Sequence, residues 1–205
     1  MSRLVNDLVQ KGYLRNERII DAFSEIGRFE FLPEELHLQA EANVALPIGY
    51  GQIIPEPMLM AMIMEILEPF EGCRILDFVS ASGWSTALFA YIAGNNGEVV
   101  ALEKNRELKK TGAYNVDKYG YIKKGIVKFF LKSEAEDELM DNSFDRILIF
   151  NGTEADLIKA KKKLKIGGKM VVSNNSNVIY FERKTEDEFE EEKYSGFSTE
   201  PLLVR

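Results

Sequence analysis

The stretch RILDFVSASGWSTALFAYIAG, Arg74 to Gly94, decides the fold. Ile75, Leu76, Phe78 and Val79 form a short apolar run, as expected of a strand buried on both faces. Ser80 to Gly83 is a small-residue turn, and Leu88, Ala90, Tyr91 and Ala93 continue with helical spacing up to a helix stop at Gly94. A strand, a tight turn and a helix start make a cradle for a nucleotide-like cofactor. The helix N-terminus offers free N–H groups, and small residues let the backbone approach the ligand. About twenty residues on, Glu103 closes the apolar run VVALE, where a carboxylate can accept hydrogen bonds from ribose hydroxyls. The pattern is incomplete. A G-x-G-x-G turn would stand here as Val79, Ser80, Ala81, Ser82, Gly83, and only its last glycine is present.

Outward from this stretch, strands are expected at 74–79, 98–103, 126–131, 144–150 and 168–174, with helices at 84–94, 105–118 and 155–164. Such alternation reads as a parallel, doubly wound sheet with its ligand crevice at the carboxyl ends of the strands. Upstream, residues 2–11 and 16–26 carry the apolar spacing of amphipathic helices, the second with Asn16 as N-cap. In GRFEFLPEE, Phe29, Phe31 and Leu32 are packing residues and Pro33 opens a helical turn. The loop EANVALPIGYGQIIPEP, residues 41–57, has no clear period and is apolar enough to line a pocket. Pro57 then starts a helix whose alternate methionines, Met58 to Met64, read as core. At the end, NVIYFERK and FSTEPLLVR are expected as two hairpin strands, with the acidic run EDEFEEE as a solvated tip.

Composition narrows the function classes. The chain has 205 residues, 45% hydrophobic and 29% charged, which suits one globular domain with a substantial core. A net charge of −7 and a pI near 5.0 argue against a nucleic-acid partner. Lys161, Lys162, Lys163 and Lys165, on a helix ending at Gly167, suit the negative end of its dipole. One cysteine, Cys73, and one histidine, His37, provide neither a metal-ligand cluster nor a Cys-His or Ser-His dyad, and no disulfide within the chain. With no signal core and no run long enough to span a bilayer, the expectation is a cytoplasmic protein without a membrane partner.

FLPEE, ALPIGYGQ before a Pro-started helix, ILDF with its turn, VVALE, FDRILIF and LKIGGKMVV occur in one order over nearly the whole chain. In that order the chain resembles the protein-L-isoaspartate O-methyltransferase family. The resemblance implies a Rossmann-like class I methyltransferase fold: a seven-stranded, mostly parallel sheet with a C-terminal antiparallel hairpin and an N-terminal helical arm. As a single domain it would divide into N-terminal helices with a substrate-side loop (1–56), a doubly wound core (57–174) and C-terminal strands (175–205). It also implies S-adenosylmethionine as cofactor and isoaspartyl-containing proteins or peptides as substrate, methylated on the carboxylate in protein repair.

The resemblance carries site residues to specific positions. On the cofactor side these are Val79, Ser80, Ala81, Gly83, Glu103 and, in place of the family's G-D-G aspartate, Ser133, between Lys132 and Glu134. The substrate-side loop is Gly51, Gln52, Ile53 and Pro55. Here Ile53 takes the family's threonine position, Pro55 its serine and Met58 its histidine, so no catalytic residue is intact. Pro55 can donate from neither side chain nor backbone, and Glu56 would place a negative charge near an incoming carboxylate. The turn after the fourth strand is altered to Asn151, Gly152, Thr153, Glu154. Scaffold positions agree with the family while ligand-facing ones depart together, so weakened or lost catalysis is expected. Two alternatives are a fully active isoaspartyl methyltransferase with altered contacts and an enzyme of another reaction class on the same fold.

Overall fold

The computed structural model describes residues 1–174 and 177–195. The parallel strands are β3 (Arg74–Asp77), β4 (Glu98–Glu103), β5 (Val127–Leu131), β6 (Phe144–Phe150) and β7 (Leu164–Asn174). With β8 (Asn177–Arg183) and β9 (Phe189–Ser195) they form one sheet in the order β5-β4-β3-β6-β7-β8-β9. Pairing is parallel up to β7, whereas β8 and β9 join antiparallel. The chain winds outward from β3 to β5, then returns to the other side of β3 as β6. That reversal leaves a crevice above the carboxyl ends of β3 and β6.

One face of the sheet is covered by α4 (Trp84–Ala93) and α5 (Arg106–Asp117), with α1 (Arg3–Gln10), α2 (Glu17–Glu25) and α3 (Pro57–Leu67) extending the same apolar cluster. The other face carries a smaller cluster around Leu76, Phe78, Phe144, Ile147 and Phe181. It lies under α6 (Glu154–Lys163) and two short 3-10 turns at Lys132–Glu134 and Glu136–Glu138. Asn16 caps α2 through Arg18, Pro57 opens α3, and Gly94 terminates α4, as the sequence predicts. Among the described residues no helix is long and apolar enough to cross a membrane.

Four local expectations change. Residues 41–57 are not irregular throughout: β1 (Leu46–Gly49) and β2 (Gln52–Ile54) pair as a hairpin. Tyr50 and Gly51 take φ of +53° and +69° at its tip, the hand that closes a short hairpin. Next, β3 stops at Asp77, although Phe78 N–H still donates to the Leu148 carbonyl at 2.8 Å before the turn begins. Helix α6 ends at Lys163 and β7 begins at once, so Gly167 and Lys165 lie in a strand and not at a helix end. Finally, the acidic run is not merely a tip, because its second half is β9. An edge strand has one neighbour and an open flank, where consecutive glutamates stay solvated and discourage further pairing. The strand expected in 197–205 lies outside the described residues.

Gly112 on α5 is where helix and turn meet. A Cβ there would lie 2.7 Å from the Ala81 carbonyl oxygen and 2.7 Å from Phe129 Cζ. Gly112→Ala is expected to lower stability by about 1–3 kcal/mol through overpacking, measured by urea unfolding. An unchanged midpoint would show that the turn does not depend on this contact.

Candidate functional site

The turn after β3 is held from below by buried polar groups. Ser80 N–H donates to the Leu102 carbonyl at 2.9 Å, and Gly83 N–H to the Ser80 carbonyl at 2.8 Å. Ala81 adopts φ +50° and Gly83 φ +93°, whereas Val79 has no left-handed backbone. An alanine in that region costs about 1–2 kcal/mol relative to glycine. Beneath them Asp77 Oδ2 accepts from Ser85 Oγ at 2.6 Å and Thr86 Oγ1 at 2.7 Å, while Oδ1 has no partner among the described residues. Burial lifts the Asp77 carboxyl from 3.8 to about 6, although the hydroxyls of Ser85 and Thr86 pull it down. Glu103 closes the turn from β4. Its Oε2 accepts from Ala81 N–H at 3.0 Å, and Oε1 from the N–H groups of Lys104 and Asn105 at 2.7 and 2.8 Å.

Above the turn, the β1–β2 hairpin and the strand leading to α3 are gathered by one side chain. The buried Arg28 guanidinium donates to the carbonyls of Ala40, Ala42, Val44, Ile54 and Pro55, at 2.8 to 3.4 Å. It also lies 5.5 Å from the Trp84 ring centre, a cation–π contact that links the loop to the first turn of α4. Burial lowers the guanidinium from 12.5 to about 10, and nearby Glu56 works in the opposite direction. The cation therefore persists at neutral pH. Burial raises the Glu56 carboxyl, which its own backbone N–H and Arg28 hold down.

Between loop and turn lies the crevice expected from the strand order, but it is almost filled. Gln52, Ile53 and Pro55 from the loop face Val79, Ser80 and Ala81 from the turn. Trp84 and Leu148 help close the sides, and the space left is about 20 Å³. That is room for about one water. Four of the buried side-chain atoms without a partner belong to residues around it: Arg28 Nε, Glu56 Oε2, Asp77 Oδ1 and Trp84 Nε1.

The residues expected at a site divide accordingly. Val79, Ser80, Ala81, Gln52, Ile53 and Pro55 converge on the crevice, Gly83 begins α4, and Gly51 sits at the hairpin tip. Glu56 departs from expectation. It is 7% exposed and turned inward near Arg28, away from an incoming substrate. Ser133 lies beside Lys132 in a separate cavity on the other face of the sheet. The altered turn at Asn151 to Glu154 is ordered by a Thr153–Asp156 capping box, and Asp156 pairs with Lys132 and, at 3.8 Å, with Lys104. Sequence reading passed over Arg28, Asp77 and Trp84. A lone arginine inside the apolar GRFEFL and an aspartate closing a buried strand were the available signals.

Two outcomes follow from this geometry. Arg28→Met leaves several buried carbonyls without donors and Glu56 without its counter-charge, and is expected to cost about 3–5 kcal/mol in urea unfolding. A loss below about 1 kcal/mol would show that the loop is held by other contacts. The raised Asp77 carboxyl favours the folded state while it is protonated, so this contribution is present at low pH and fades as pH rises from about 4 through about 6. Asp77→Asn is expected to remove a pH-dependent stability change on the order of 3 kcal/mol over that window. Parallel pH–stability curves for the two proteins would refute it.

Comparison with known proteins agrees with the strand order. The sequence pattern of the family described as Protein-L-isoaspartate(D-aspartate) O-methyltransferase matches residues 1–197. The chain is 32% identical to the protein-L-isoaspartate O-methyltransferase of Methanopyrus kandleri over 98% of this chain and 90% of that one. It is also 32% identical to the protein of that name from Flavobacterium psychrophilum, over 98% and 93% of the two chains. A Plasmodium falciparum structure, described as a protein of this kind in complex with S-adenosyl-L-homocysteine, shares the fold. Its TM-score is 0.77 at 17% identity, covering 95% of this chain and 94% of that one. With the Rossmann-like methyltransferase fold in place and the sequence match spanning nearly its whole length, the chain belongs to the protein-L-isoaspartate O-methyltransferase family.

Proposed function

We propose that this protein is a family member in which S-adenosylmethionine-dependent methylation of isoaspartyl carboxylates is weakened or lost. The observation that carries this reading is the crevice of about 20 Å³ between residues 52–55 and 79–85. Pockets that enclose a ligand of cofactor size run from about 300 to 1,000 Å³. The residues present do not make room for the cofactor's amino-acid tail. Val79 and Ala81 bring Cβ atoms to positions where glycines would leave open backbone, and Glu103 already accepts three backbone N–H groups. On the substrate side, Ile53 and Pro55 have no hydroxyl to orient a carboxylate, and methyl transfer needs that oxygen held in line and shielded from water.

One observation favours the alternative, an active enzyme with altered contacts. Asp77 Oδ1 and Trp84 Nε1 are buried without partners beside the crevice, and orphaned polar groups of this kind are often satisfied by a ligand or water. Thermal shift separates the readings, because a ligand that binds only the folded state raises its melting temperature. S-adenosylmethionine and S-adenosylhomocysteine at millimolar concentration are expected to leave the melting temperature unchanged, and an isoaspartyl peptide is expected to gain no methyl label. A rise of several degrees, or label incorporation, would overturn the proposal. The double substitution Val79→Gly, Ala81→Gly is expected to fold, since it relieves the left-handed alanine, and to gain a measurable shift with S-adenosylhomocysteine.

A further inference from the structure

The sheet face opposite the crevice helices is thinly covered. Between β5 and β6 the chain makes only the 3-10 turns at Lys132–Glu134 and Glu136–Glu138, and among the described residues α6 is the one α-helix lying over this face. Between α6 and the turns runs a cavity of about 390 Å³. Phe78 and Leu139 give it an apolar lining, and Lys132, Lys159, Lys162 and Lys163 ring it. Phe78 belongs to the apolar cluster under α6, so this cavity is separate from the crevice lined by residues 79–85.

The lysines are unequal. Lys132 pairs with Asp156 and sits 4.3 Å over the Phe78 ring, while Lys163 pairs with Asp141 at 2.6 Å. Lys161 points elsewhere, over the rings of Phe181 and Phe189, and Lys165 pairs with Asp145. Among the described residues the Lys159 and Lys162 ammonium groups, which line the cavity, make no ion pair or side-chain hydrogen bond, although the Lys162 charge helps hold the Asp141 carboxyl down. One carboxylate, Glu136, lines it in opposition, and the Ser133 hydroxyl is available at the rim. Burial depresses the Lys132 ammonium, and Lys104 and Lys159 add to that against its pairing with Asp156, a mark of crowded positive charge. The helix-dipole role expected for Lys161, Lys162, Lys163 and Lys165 suits Lys162 in the last turn of α6, but it does not extend to Lys159.

We propose that this cavity binds a small phosphorylated organic molecule, its phosphate on the ammonium groups of Lys159 and Lys162 and its ring or apolar body against Phe78 and Leu139. A metal cation is disfavoured by the ring of lysines. A nucleic-acid strand would require an extended basic surface, which a chain of net charge −7 with a compact cavity does not provide. Ammonium groups act as point charges for phosphate oxygens, and the volume falls at the small end of ligand pockets.

Calorimetric titration of the full chain with 1-naphthyl phosphate and with inorganic phosphate, at low salt, tests this. The naphthyl ester is expected to bind at least about tenfold tighter than phosphate. It should lose at least about tenfold in affinity in Lys159→Gln, Lys162→Gln, and weaken as salt rises. Both side chains are exposed and make no ion pair or side-chain hydrogen bond among the described residues, so the variant should melt like the parent without ligand. No binding of the ester at millimolar concentration, equal affinity for the two probes, or affinity unchanged by the double substitution would overturn the proposal. S-adenosylmethionine takes no part, so the outcome is independent of the reading given for the crevice.

Discussion

A single buried guanidinium sets the shape of the substrate-side half. Five carbonyls from residues 40 to 55 turn toward Arg28, and without it each would need another donor or water. No periodic hydrogen bonding could do this, because the segment has only a short hairpin of its own. The cation is retained inside because its charge-assisted bonds and the Trp84 face replace hydration, with Glu56 nearby as counter-charge. Loop, turn and α4 are therefore coupled through one side chain. What fills the crevice is fixed in position by something outside it.

The turn is held by contacts that lie beneath the surface it presents to the crevice. Gly83 keeps its positive φ, and a Cβ there would meet Val116 Cγ2 at 2.8 Å and the Gly112 carbonyl oxygen at 2.9 Å. Those contacts face α5, so they constrain the sequence whether or not a ligand sits above. Ala81 holds a left-handed backbone without being glycine, because Glu103 takes its N–H and the chain on either side is bonded to β4 and α4. The polar layer of Asp77, Ser85 and Thr86 lies deeper still, where it supports the turn from within the core.

The doubly wound core was legible because burial on both faces writes long apolar runs, and turns between them write glycine and helix caps. Arg74 to Gly94 shows this, and Asn16 and Pro57 start helices and Gly94 ends one where their chemistry says they should. The β1–β2 hairpin was illegible because Tyr50, not glycine, leads its left-handed tip. Strand β9 hid behind its glutamates, since an edge strand need not alternate. At the site, the convergence of Ile53 and Pro55 with Val79 and Ala81 could be anticipated from chain order. Arg28 could not, because its partners are backbone oxygens and carry no side-chain signature.

Closure of the crevice also acts on affinity without any direct clash. In the proposed reading a cofactor entering there would have to part Ile53 and Pro55 from Val79 and Trp84. Burying an aliphatic side chain fully contributes about 1.5–3 kcal/mol, and Ile53 is only half-buried, so parting them costs on the order of 2–4 kcal/mol in the reading proposed above. An equilibrium so biased keeps the open form at about one part in thirty to one in a thousand, and apparent affinity falls by that fraction. A ligand of the open form would then bind about thirty to a thousand times more weakly. Polar threonine and serine at positions 53 and 55 would gain little by such closure, being better solvated when apart. In the proposed reading, Ile53 and Pro55, which offer no hydroxyl to orient a carboxylate, also favour the shut crevice, so the same two residues act on the substrate side and on the cofactor side.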